Sequence, residues 1–541
     1  MKREEIPQQY KWKMEDLYVT NEAWETDFKK LQDGIEELQK YEGTLGNSAE
    51  NLLKMHETCD ELNQIAEKVY VYANQRLHEN TGNSYYQGLA GKAQMLLVQM
   101  SEASSYIEPE LLDIPEETLK EMLKTEGLKK YETYYGRLLR KKEHILSKEM
   151  EELLAGVEEV AEGPKDTFMM FNNADIKFPV ITGEDGETVE ITHGKYAKLL
   201  ESQNREVRKA AFLGLYESYG KFKNTLAATY GANVKQAGFF AKARKYASSL
   251  EASLAGSHIP TEVYDRLIES VHAHLPALHK YMEVRKEKLG VDELHMYDLY
   301  VPMVGEADKK ISYEESKEIV LNGLAPLGAD YQELLRKGFN EGWIDVYENE
   351  GKRSGAYSWG AYGTHPYVLL NYQENLNNVF TLAHEMGHAL HSYYSDETQD
   401  YIYAGYKIFV AEVASTCNEA LLIRYLLDQS KDDKETAYLL NYFLEQFRTT
   451  LFRQTMFAEF EKIAHAKSEA GEPLTAEVLC NIYYDLNKKY FGDEIVVDKE
   501  IALEWSRIPH FYTPFYVYQY STGFSAAIAI SSKILNGEAG I

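Results

Sequence analysis

Residues 377 to 395 of this 541-residue chain, NNVFTLAHEMGHALHSYYS, contain two histidines four positions apart, with a glutamate directly after the first. Residues four apart lie on one face of an α-helix, so His384 and His388 can offer imidazole nitrogens to a single metal ion. Glu385 lies beside that face, where a carboxylate can hold a water molecule. The HEMGH motif therefore predicts a zinc site with an adjacent base. The alternative is an ordinary amphipathic helix with histidines on its solvated face.

The residues around the motif favour a helix. Apolar positions form one stripe that is expected to face the core, namely Val379, Phe380, Leu382, Ala383, Met386 and Leu390. Asn375 and Asn377 are both suitable N-caps. Gly387 lowers the stability of a helix interior, so its presence predicts that another backbone approaches closely at this position.

A third ligand would distinguish a metal site from a solvated helix. The longer HExxHxxGxxH pattern fails, because position 394 is a tyrosine. His391 shares a face with His384 but lies about 10 Å along the helix, too far to bind the same ion. We expect His391 to be a structural group or one that supports a ligand.

Glu412, within KIFVAEVASTCNEALL, is the better candidate. The apolar residues around it predict a buried helix, in which a carboxylate needs a partner; they are Phe409, Val410, Val413, Ala414, Cys417, Leu421 and Leu422. A helix, a connection and an antiparallel helix would return Glu412 to the side of His388. Two histidines and one carboxylate leave a coordination position open for water, as in catalytic zinc sites. The alternative is a buried glutamate paired with an arginine or a tyrosine.

The remaining elements that must position these residues are mostly helical. Helical periodicity runs from Trp24 to about residue 170, through residues 195 to 245, and again after Pro260. FPVITGEDGETVEITHG, residues 178 to 194, predicts a hairpin with a turn at Asp185-Gly186. GKRSGAYSWGAYGTHPYVLLNY, residues 351 to 372, is a glycine-rich loop that ends in a strand. The predicted fold class is mainly α, with a small β segment directly before HEMGH.

Composition excludes several kinds of partner. The chain has 58 Lys and Arg against 86 Asp and Glu, a net charge of −28, and so lacks the basic character that nucleic acids and anionic membranes require. No apolar run approaches the roughly 20 residues of a membrane span. Three widely spaced cysteines suit a reducing compartment, and the N-terminal residues do not resemble a secretory signal. We therefore expect a cytoplasmic protein of undetermined oligomeric state.

Four segments in order resemble the M3 family of zinc metallopeptidases, and most closely its oligoendopeptidase F members: SGAYSWGAYGTHPYVLLNY, HEMGHALH, FVAEVAST and RIPHFYTPFYVYQYSTG. The resemblance implies a prolate, multi-helix fold with a deep substrate channel, one Zn²⁺ per chain and cleavage inside short oligopeptides. It divides the chain into an N-terminal helical region, residues 1–194, and a catalytic region, residues 195–541. Family members commonly continue beyond a segment like KILNGEAGI, so the sequence leaves open whether the chain is a shortened one.

The resemblance also implies a role for individual residues. His384, His388 and Glu412 would bind Zn²⁺, and Glu385 would be the general base. His510 and Tyr516 would be catalytic groups that stabilise the oxyanion, with Tyr520 as a weaker substrate contact. Pro514 is suited to begin a helix on which Tyr516 and Tyr520 share a face and Tyr518 points the other way. The alternative is that these tyrosines belong to the core.

The β segment is expected to bind substrate through its main chain. HPYVLLNY is predicted to be an edge strand that an extended peptide joins at Tyr367. His365 is either a substrate contact or a structural residue before a proline.

Two other functions fit parts of the sequence. A helical zinc carboxypeptidase would need a positive group for the terminal carboxylate of its substrate, and Arg507 is the candidate. A peptide-binding or scaffold protein would not need Glu385 beside the ligand pair, so the intact glutamate favours an enzyme.

Overall fold

The computed structural model describes residues 1–305 and 310–541 and is dominated by α-helices, which confirms the predicted mainly-α class. The charge-rich N-terminal region is helical as predicted. Side chains of Thr20, Ser48 and Asn83 accept hydrogen bonds from the first-turn N–H groups of the three longest helices here and so fix where these begin. The helices of this region are α1 (Asn21–Gln39), α2 (Ala49–Glu79), α3 (Ser84–Ser104), α4 (Ile107–Asp113), α5 (Glu116–Met122) and α6 (Glu132–Lys141).

The middle of the chain contains the predicted hairpin between helices. Val180 pairs with Glu190 in an antiparallel register, and Gly186 in the turn has a φ of +83°, which glycine adopts readily. The elements are α7 (Lys148–Ala161), α8 (Gly163–Met170), β1 (Val180–Thr182), β2 (Thr188–Glu190), α9 (His193–Leu200), α10 (Arg205–Gly220), α11 (Lys223–Ala243), α12 (Ser249–Ala255), α13 (Thr261–Leu289) and β3 (Leu294–His295).

The last part of the chain carries the HEMGH helix and the elements around it. These are α14 (Tyr313–Gly323), α15 (Ala329–Asn340), β4 (Ile344–Asp345), β5 (Tyr357–Trp359), β6 (Tyr367–Leu369), α16 (Leu376–Thr398), α17 (Tyr401–Ala404), α18 (Ile408–Gln429), α19 (Asp433–Gln446), α20 (Arg453–Glu469), α21 (Ala476–Phe491), β7 (Ile495–Val496) and α22 (Tyr518–Leu535). Among the described helices, none has the length and apolar character that crossing a membrane would require.

The chain forms two compact units. The first unit combines residues 1–143, 308–429 and 526–541, and the second combines residues 144–307 and 430–525. The first unit therefore contains α1–α6 and α14–α18, and the second contains α7–α13 and α19–α21. The predicted boundary near residue 195 divides the chain differently and stays a prediction.

A small sheet lies in the core of the first unit. Its strand order is β4-β6-β5, with β6 parallel to β4 and antiparallel to β5. The prediction that Tyr367 begins an edge strand is therefore wrong, because β6 is hydrogen-bonded on both sides and β5 forms one edge. Trp12 of the N-terminal segment donates its indole N–H to the Val368 carbonyl at 2.8 Å and packs with Trp24 and Leu369 in the same hydrophobic cluster.

The N-terminal residues are tied to this sheet by charge as well. The Arg3 guanidinium binds the Asp345 carboxylate at 2.5 Å and the Glu79 carboxylate at 2.7 Å. Lys352 contacts the same aspartate at 2.7 Å, and both side chains are 1% exposed. Burial alone would raise the pKa of Asp345, but Lys352 and Arg3 hold it below its ordinary value. Ion pairs between residues far apart in the sequence therefore hold the N-terminal segment against the sheet.

Candidate metal centre

Helix α16 presents the two histidines of the motif from a buried scaffold. The six apolar residues predicted to face the core are all buried. Asn375 is the N-cap, since its side chain accepts the Asn378 backbone N–H at 3.0 Å. The rings of His384 and His388 lie one turn apart on the helix, with centroids 4.8 Å from each other.

Helix α18 packs against α16 at very short range, as Gly387 predicts. A Cβ atom at Gly387 would lie 2.6 Å from Ser415 Cα and 3.0 Å from the Ala414 carbonyl oxygen, so only glycine fits. Asn418 of α18 donates its side-chain N–H to the Ala383 carbonyl at 2.9 Å. The prediction of a close backbone approach is confirmed, and the two helices are held in a fixed antiparallel register.

This register brings Glu412 to the histidines. Glu412 Oε2 lies 3.4 Å from His384 Nε2 and 3.6 Å from His388 Nε2. One ligand atom from each of the three residues lies within 4.8 Å of the others. The side chains are 27%, 18% and 44% exposed for His384, His388 and Glu412, so the cluster is open to solvent on the Glu412 side.

These distances fit a divalent metal ion. A tetrahedral zinc ion with ligands at about 2.0–2.1 Å holds neighbouring donor atoms about 3.4 Å apart. Two imidazole nitrogens and one carboxylate oxygen form a donor set typical of zinc, and they leave one coordination position for another ligand. The chemistry and spacing of the residues present therefore match such an ion.

Glu419 is part of the centre, and the sequence reasoning missed it. Its carboxylate lies 2.5 Å from His384 Nδ1, which directs Nε2 of the same ring toward Glu412. Burial alone would lower the pKa of His384, but the hydrogen bond and charge of Glu419 raise it above its ordinary value. Glu419 follows Glu412 by seven residues, two turns along the same helix face. That spacing is the sequence pattern that predicts Glu419 on the side of the ligands.

Glu385 lies beside the three clustered ligand atoms and is almost fully buried, with 6% of its surface exposed. Its Oε2 is buried without a hydrogen-bond partner among the described residues. Burial is the main cause that raises the pKa of Glu385 to about 7. The charge of His384 and the Ser358 backbone N–H lower this pKa, whereas the charges of Glu412 and Glu419 raise it further. The carboxyl group can therefore exchange a proton near neutral pH, as a general base must.

His391 and the first turn of α18 have other surroundings than the metal ligands. The His391 ring stacks on Tyr406 with centroids 3.8 Å apart and does not join the three ligand atoms. The prediction of a buried helix around Glu412 is wrong at the start of α18, where Val410 is 38% exposed and Ile408, just before the predicted residues, is 57% exposed. The first fully buried residue of α18 is Ser415, so the first turn of the helix stays accessible.

The two residues predicted to contact substrate from the β segment are inside the fold. Tyr367 is fully buried, and His365 stacks on Trp343 with centroids 5.3 Å apart while its Nδ1 donates to the Pro366 carbonyl at 2.8 Å. Strand β5 is better placed, because Ser358 faces Glu385 and also lines a cavity of about 750 Å³ in the first unit.

His510, Tyr516 and Tyr520 form a cluster in the second unit, which we call the His-Tyr cluster. The ring centroid of His510 lies 6.1 Å from that of Tyr516 and 6.0 Å from that of Tyr520, and the centroids of the two tyrosine rings are 5.5 Å apart. His510 is exposed and both tyrosines are partly exposed, whereas Tyr518 is 3% exposed and faces the other way, as predicted. The prediction that Pro514 begins a helix is wrong, since α22 begins at Tyr518.

Known proteins resemble the whole chain. The sequence model of peptidase family M3 matches residues 198–540, and that of oligopeptidase F matches residues 110–178. Oligopeptidase PepF of Bacillus subtilis is 51% identical over 98% of this chain and 80% of its own length. An oligoendopeptidase F homolog of Lactococcus lactis is 44% identical over 99% of this chain and 89% of its own length.

Solved structures resemble the fold as well. A crystal structure from Chlamydophila abortus superposes with a TM-score of 0.95 at 34% identity and covers 100% of this chain and 91% of the other. Oligoendopeptidase-F from Enterococcus faecium superposes with a TM-score of 0.72 at 42% identity, covering 96% of this chain and 89% of the other. The chain belongs to peptidase family M3 and is a peptidase.

Proposed function

We propose that this peptidase is a zinc-dependent endopeptidase that hydrolyses internal bonds of short oligopeptides. The observation that carries the proposal is the convergence of His384, His388 and Glu412 from two helices within 4.8 Å, beside the buried carboxyl group of Glu385. His384, His388 and Glu412 would hold one Zn²⁺ per chain. When bound, the ion supplies a Lewis acid that makes water nucleophilic near neutral pH.

The protein's own groups then handle the proton. Glu385 accepts a proton from the attacking water and delivers one to the leaving amine, a task that its pKa near 7 suits. Glu419 fixes the ring of His384 so that Nε2 faces the ligand cluster and the ring cannot rotate away. Gly387 keeps Glu412 within reach by allowing α18 to approach.

We also propose, as the family resemblance implies, that the His-Tyr cluster takes part in the reaction. His510 and Tyr516 carry N–H and O–H groups that can donate to the oxyanion formed when the scissile carbonyl is attacked, and Tyr520 can contact the substrate. Their partial exposure and mutual packing support a shared surface for one ligand.

The substrate class follows from the relatives and from the cavity. Both relatives are named for oligopeptides, and the name of the Lactococcus lactis relative also denotes internal cleavage. The cavity beside Ser358, of about 750 Å³, has room for several residues of an extended peptide. Strand β5 at the edge of the sheet can pair with a peptide main chain, which takes the role first expected of Tyr367 and β6.

A carboxypeptidase is less well supported. Arg507, the candidate for gripping a terminal carboxylate, donates to Glu504 at 2.5 Å and lies over the rings of Tyr196 and Tyr216. Its guanidinium is already paired with the buried carboxylate of Glu504. A group engaged in this way is not available for a substrate terminus.

We also propose a cytoplasmic location. Cys59, Cys417 and Cys480 are all free thiols, which suits a reducing compartment.

The decisive experiment replaces the base and measures metal and turnover together. Glu385→Gln should retain stoichiometric zinc but lose at least about 10³-fold in kcat on a quenched fluorescent peptide with an amidated C-terminus. Glu397→Gln, an exposed position on the same helix, is the matched control and should behave as wild type. Full activity of Glu385→Gln, or activity that survives complete zinc removal, would disprove the mechanism, and no cleavage of the amidated peptide by the wild type would disprove endopeptidase activity.

A further inference from the structure

The segment that carries the His-Tyr cluster contains an unusual backbone conformation. Phe515 has a φ of +58°, in the left-handed region that bulky side chains rarely adopt. The residue is 1% exposed, so it cannot relax into solvent. A strained residue of this kind persists only when its surroundings hold it in place.

A buried carboxyl group on α20 is the principal restraint. Phe515 donates its backbone N–H to Glu461 Oε1 at 2.9 Å, and the glutamate is fully buried. The second oxygen of Glu461 is buried and has no hydrogen-bond partner among the described residues, so the carboxyl group is placed for this one contact. Burial raises the pKa of Glu461 to about 8, although the Phe515 N–H lowers it. Placing this group there is costly, which is typical of a functional position.

Other contacts hold the side chain and the preceding peptide. The Phe515 ring packs against His465, one turn after Glu461 on α20, with centroids 4.5 Å apart, and edge-on against Tyr264 at 5.8 Å. Ser253 donates its hydroxyl hydrogen to the Pro514 carbonyl at 3.1 Å. Both sides of the strained residue are therefore fixed within the second unit.

The strained residue lies between the members of the His-Tyr cluster along the chain. His510 precedes Phe515, whereas Tyr516 and Tyr520 follow it. Relaxation of φ to the right-handed region would be a rotation of about 120°, and it would move Tyr516 relative to His510. The conformation at position 515 thus sets the geometry of the cluster.

We propose that Glu461 is a positioning residue for the peptidase reaction, because it holds Phe515 in the left-handed conformation and thereby keeps Tyr516 and Tyr520 beside His510. The inference rests on the proposed function, which gives His510 and Tyr516 their part in stabilising the oxyanion. Glu461 does not touch the reacting atoms itself.

The test compares three variants of buried glutamates on one helix. Glu461→Met removes the acceptor at similar side-chain volume, and Glu461→Gln keeps a carbonyl oxygen for the Phe515 N–H. Glu459→Gln is the control, since Glu459 is also buried on α20 but binds His272, Lys489 and Tyr490 instead of the segment around Phe515.

We expect Glu461→Met to lose at least tenfold in kcat with unchanged zinc content and little change in KM. In Glu461→Met, the backbone amides of residues 509–520 should exchange with deuterium at least tenfold faster than in the wild type. Glu461→Gln and Glu459→Gln should stay within twofold of wild type in kcat and in exchange of that peptide. Folded Glu461→Met with wild-type kcat and wild-type exchange would overturn the inference.

A second variant covers the case in which Glu461→Met does not fold. Ser253→Ala removes the neighbouring restraint from an accessible position, and a two- to threefold loss of kcat with faster exchange of residues 509–520 is expected. Unchanged exchange in Ser253→Ala would then count against the inference. Hydrogen exchange does not depend on catalysis, so it tests the role of Glu461 independently of the proposed function. Retained activity of Glu385→Gln would refute the proposed function but not the exchange result.

Discussion

Replacing Gly387 with alanine should push α18 away from α16 and weaken metal binding. The added Cβ would lie 2.6 Å from Ser415 Cα and 3.0 Å from both the Ala414 carbonyl oxygen and the Ser415 nitrogen. All three are backbone atoms, so no side chain can rotate to make room. The helices themselves must separate or the contact must stay strained.

The magnitude follows from these distances. Ordinary contact begins at 3.4 Å, so the shortest contact must lengthen by about 0.8 Å. Carried to the ligands, that shift would lengthen the separations of 3.4 and 3.6 Å between the imidazole nitrogens and Glu412 to about 4.2 and 4.4 Å, well above the value of about 3.4 Å expected around a tetrahedral ion. Alanine gains about 1 kcal/mol of helix propensity over glycine, whereas overpacking costs about 1–3 kcal/mol, so the net loss of stability is about 1 kcal/mol.

The informative measurement is therefore metal affinity rather than the melting temperature alone. We expect the zinc dissociation constant of Gly387→Ala, obtained by competition with a chelator, to rise at least about tenfold, as for changes that disturb ligand support. The value of kcat/KM at limiting zinc should fall in parallel.

Gly91→Ala is the matched control. Gly91 lies in the exposed interior of α3, and a Cβ there would meet nothing within 4 Å. This variant should gain about 0.5–1 kcal/mol in stability without a change in zinc affinity. If Gly387→Ala binds zinc as tightly as wild type at full activity, the close approach of the two helices does not set the metal geometry.

Two further predictions concern single carboxylates. Glu419→Gln should weaken zinc binding by about 10–100-fold, because His384 loses the charged partner at Nδ1, and equilibrium dialysis against a chelator measures this; unchanged affinity would exclude the orienting role. Burial alone would raise the pKa of Glu504, but Arg453 and Arg507 lower it to about 2. The ionised carboxylate therefore stabilises the folded protein above its unfolded pKa of about 4.5, and this contribution is lost as the pH falls toward 2. Urea unfolding of the protein should therefore show that Glu504→Gln is less stable at pH 7 and lacks about 3 kcal/mol of the wild-type decline between pH 4.5 and 2; an equal decline in both proteins would contradict the ion-pair assignment.

Much of the first unit near the histidines follows from local sequence patterns. The period of the apolar residues predicts α16 and its buried face, and Gly387 predicts the close approach because glycine in a helix interior needs a steric reason. The same spacing rules place Glu412 beside His388, which the structure shows. Glu419 was equally accessible to such rules, since it repeats the position of Glu412 two turns later.

What local patterns could not supply is non-local pairing. Strand β6 resembles an edge strand in sequence, yet it is central because β4 pairs with it, and the N-terminal segment covers it through Trp12. The predicted helix start at Pro514 is too early, because Pro514 is a good first helical residue but Phe515 takes a left-handed conformation that a helix cannot contain. That conformation depends on Glu461, which is 54 positions away in the sequence.

The pairing of Arg3 with Asp345 spans 342 positions, and the whole of α7–α13 is made between them. During synthesis at about 5–20 residues per second, the start of the chain must wait roughly 20–70 s before its partner leaves the ribosome. The helices that bear the histidines and Glu412 emerge later still. A nascent chain is therefore expected to complete its sheet before the three ligand side chains can meet, because Glu412 follows Asp345 by 67 positions and is made about 3–13 s later.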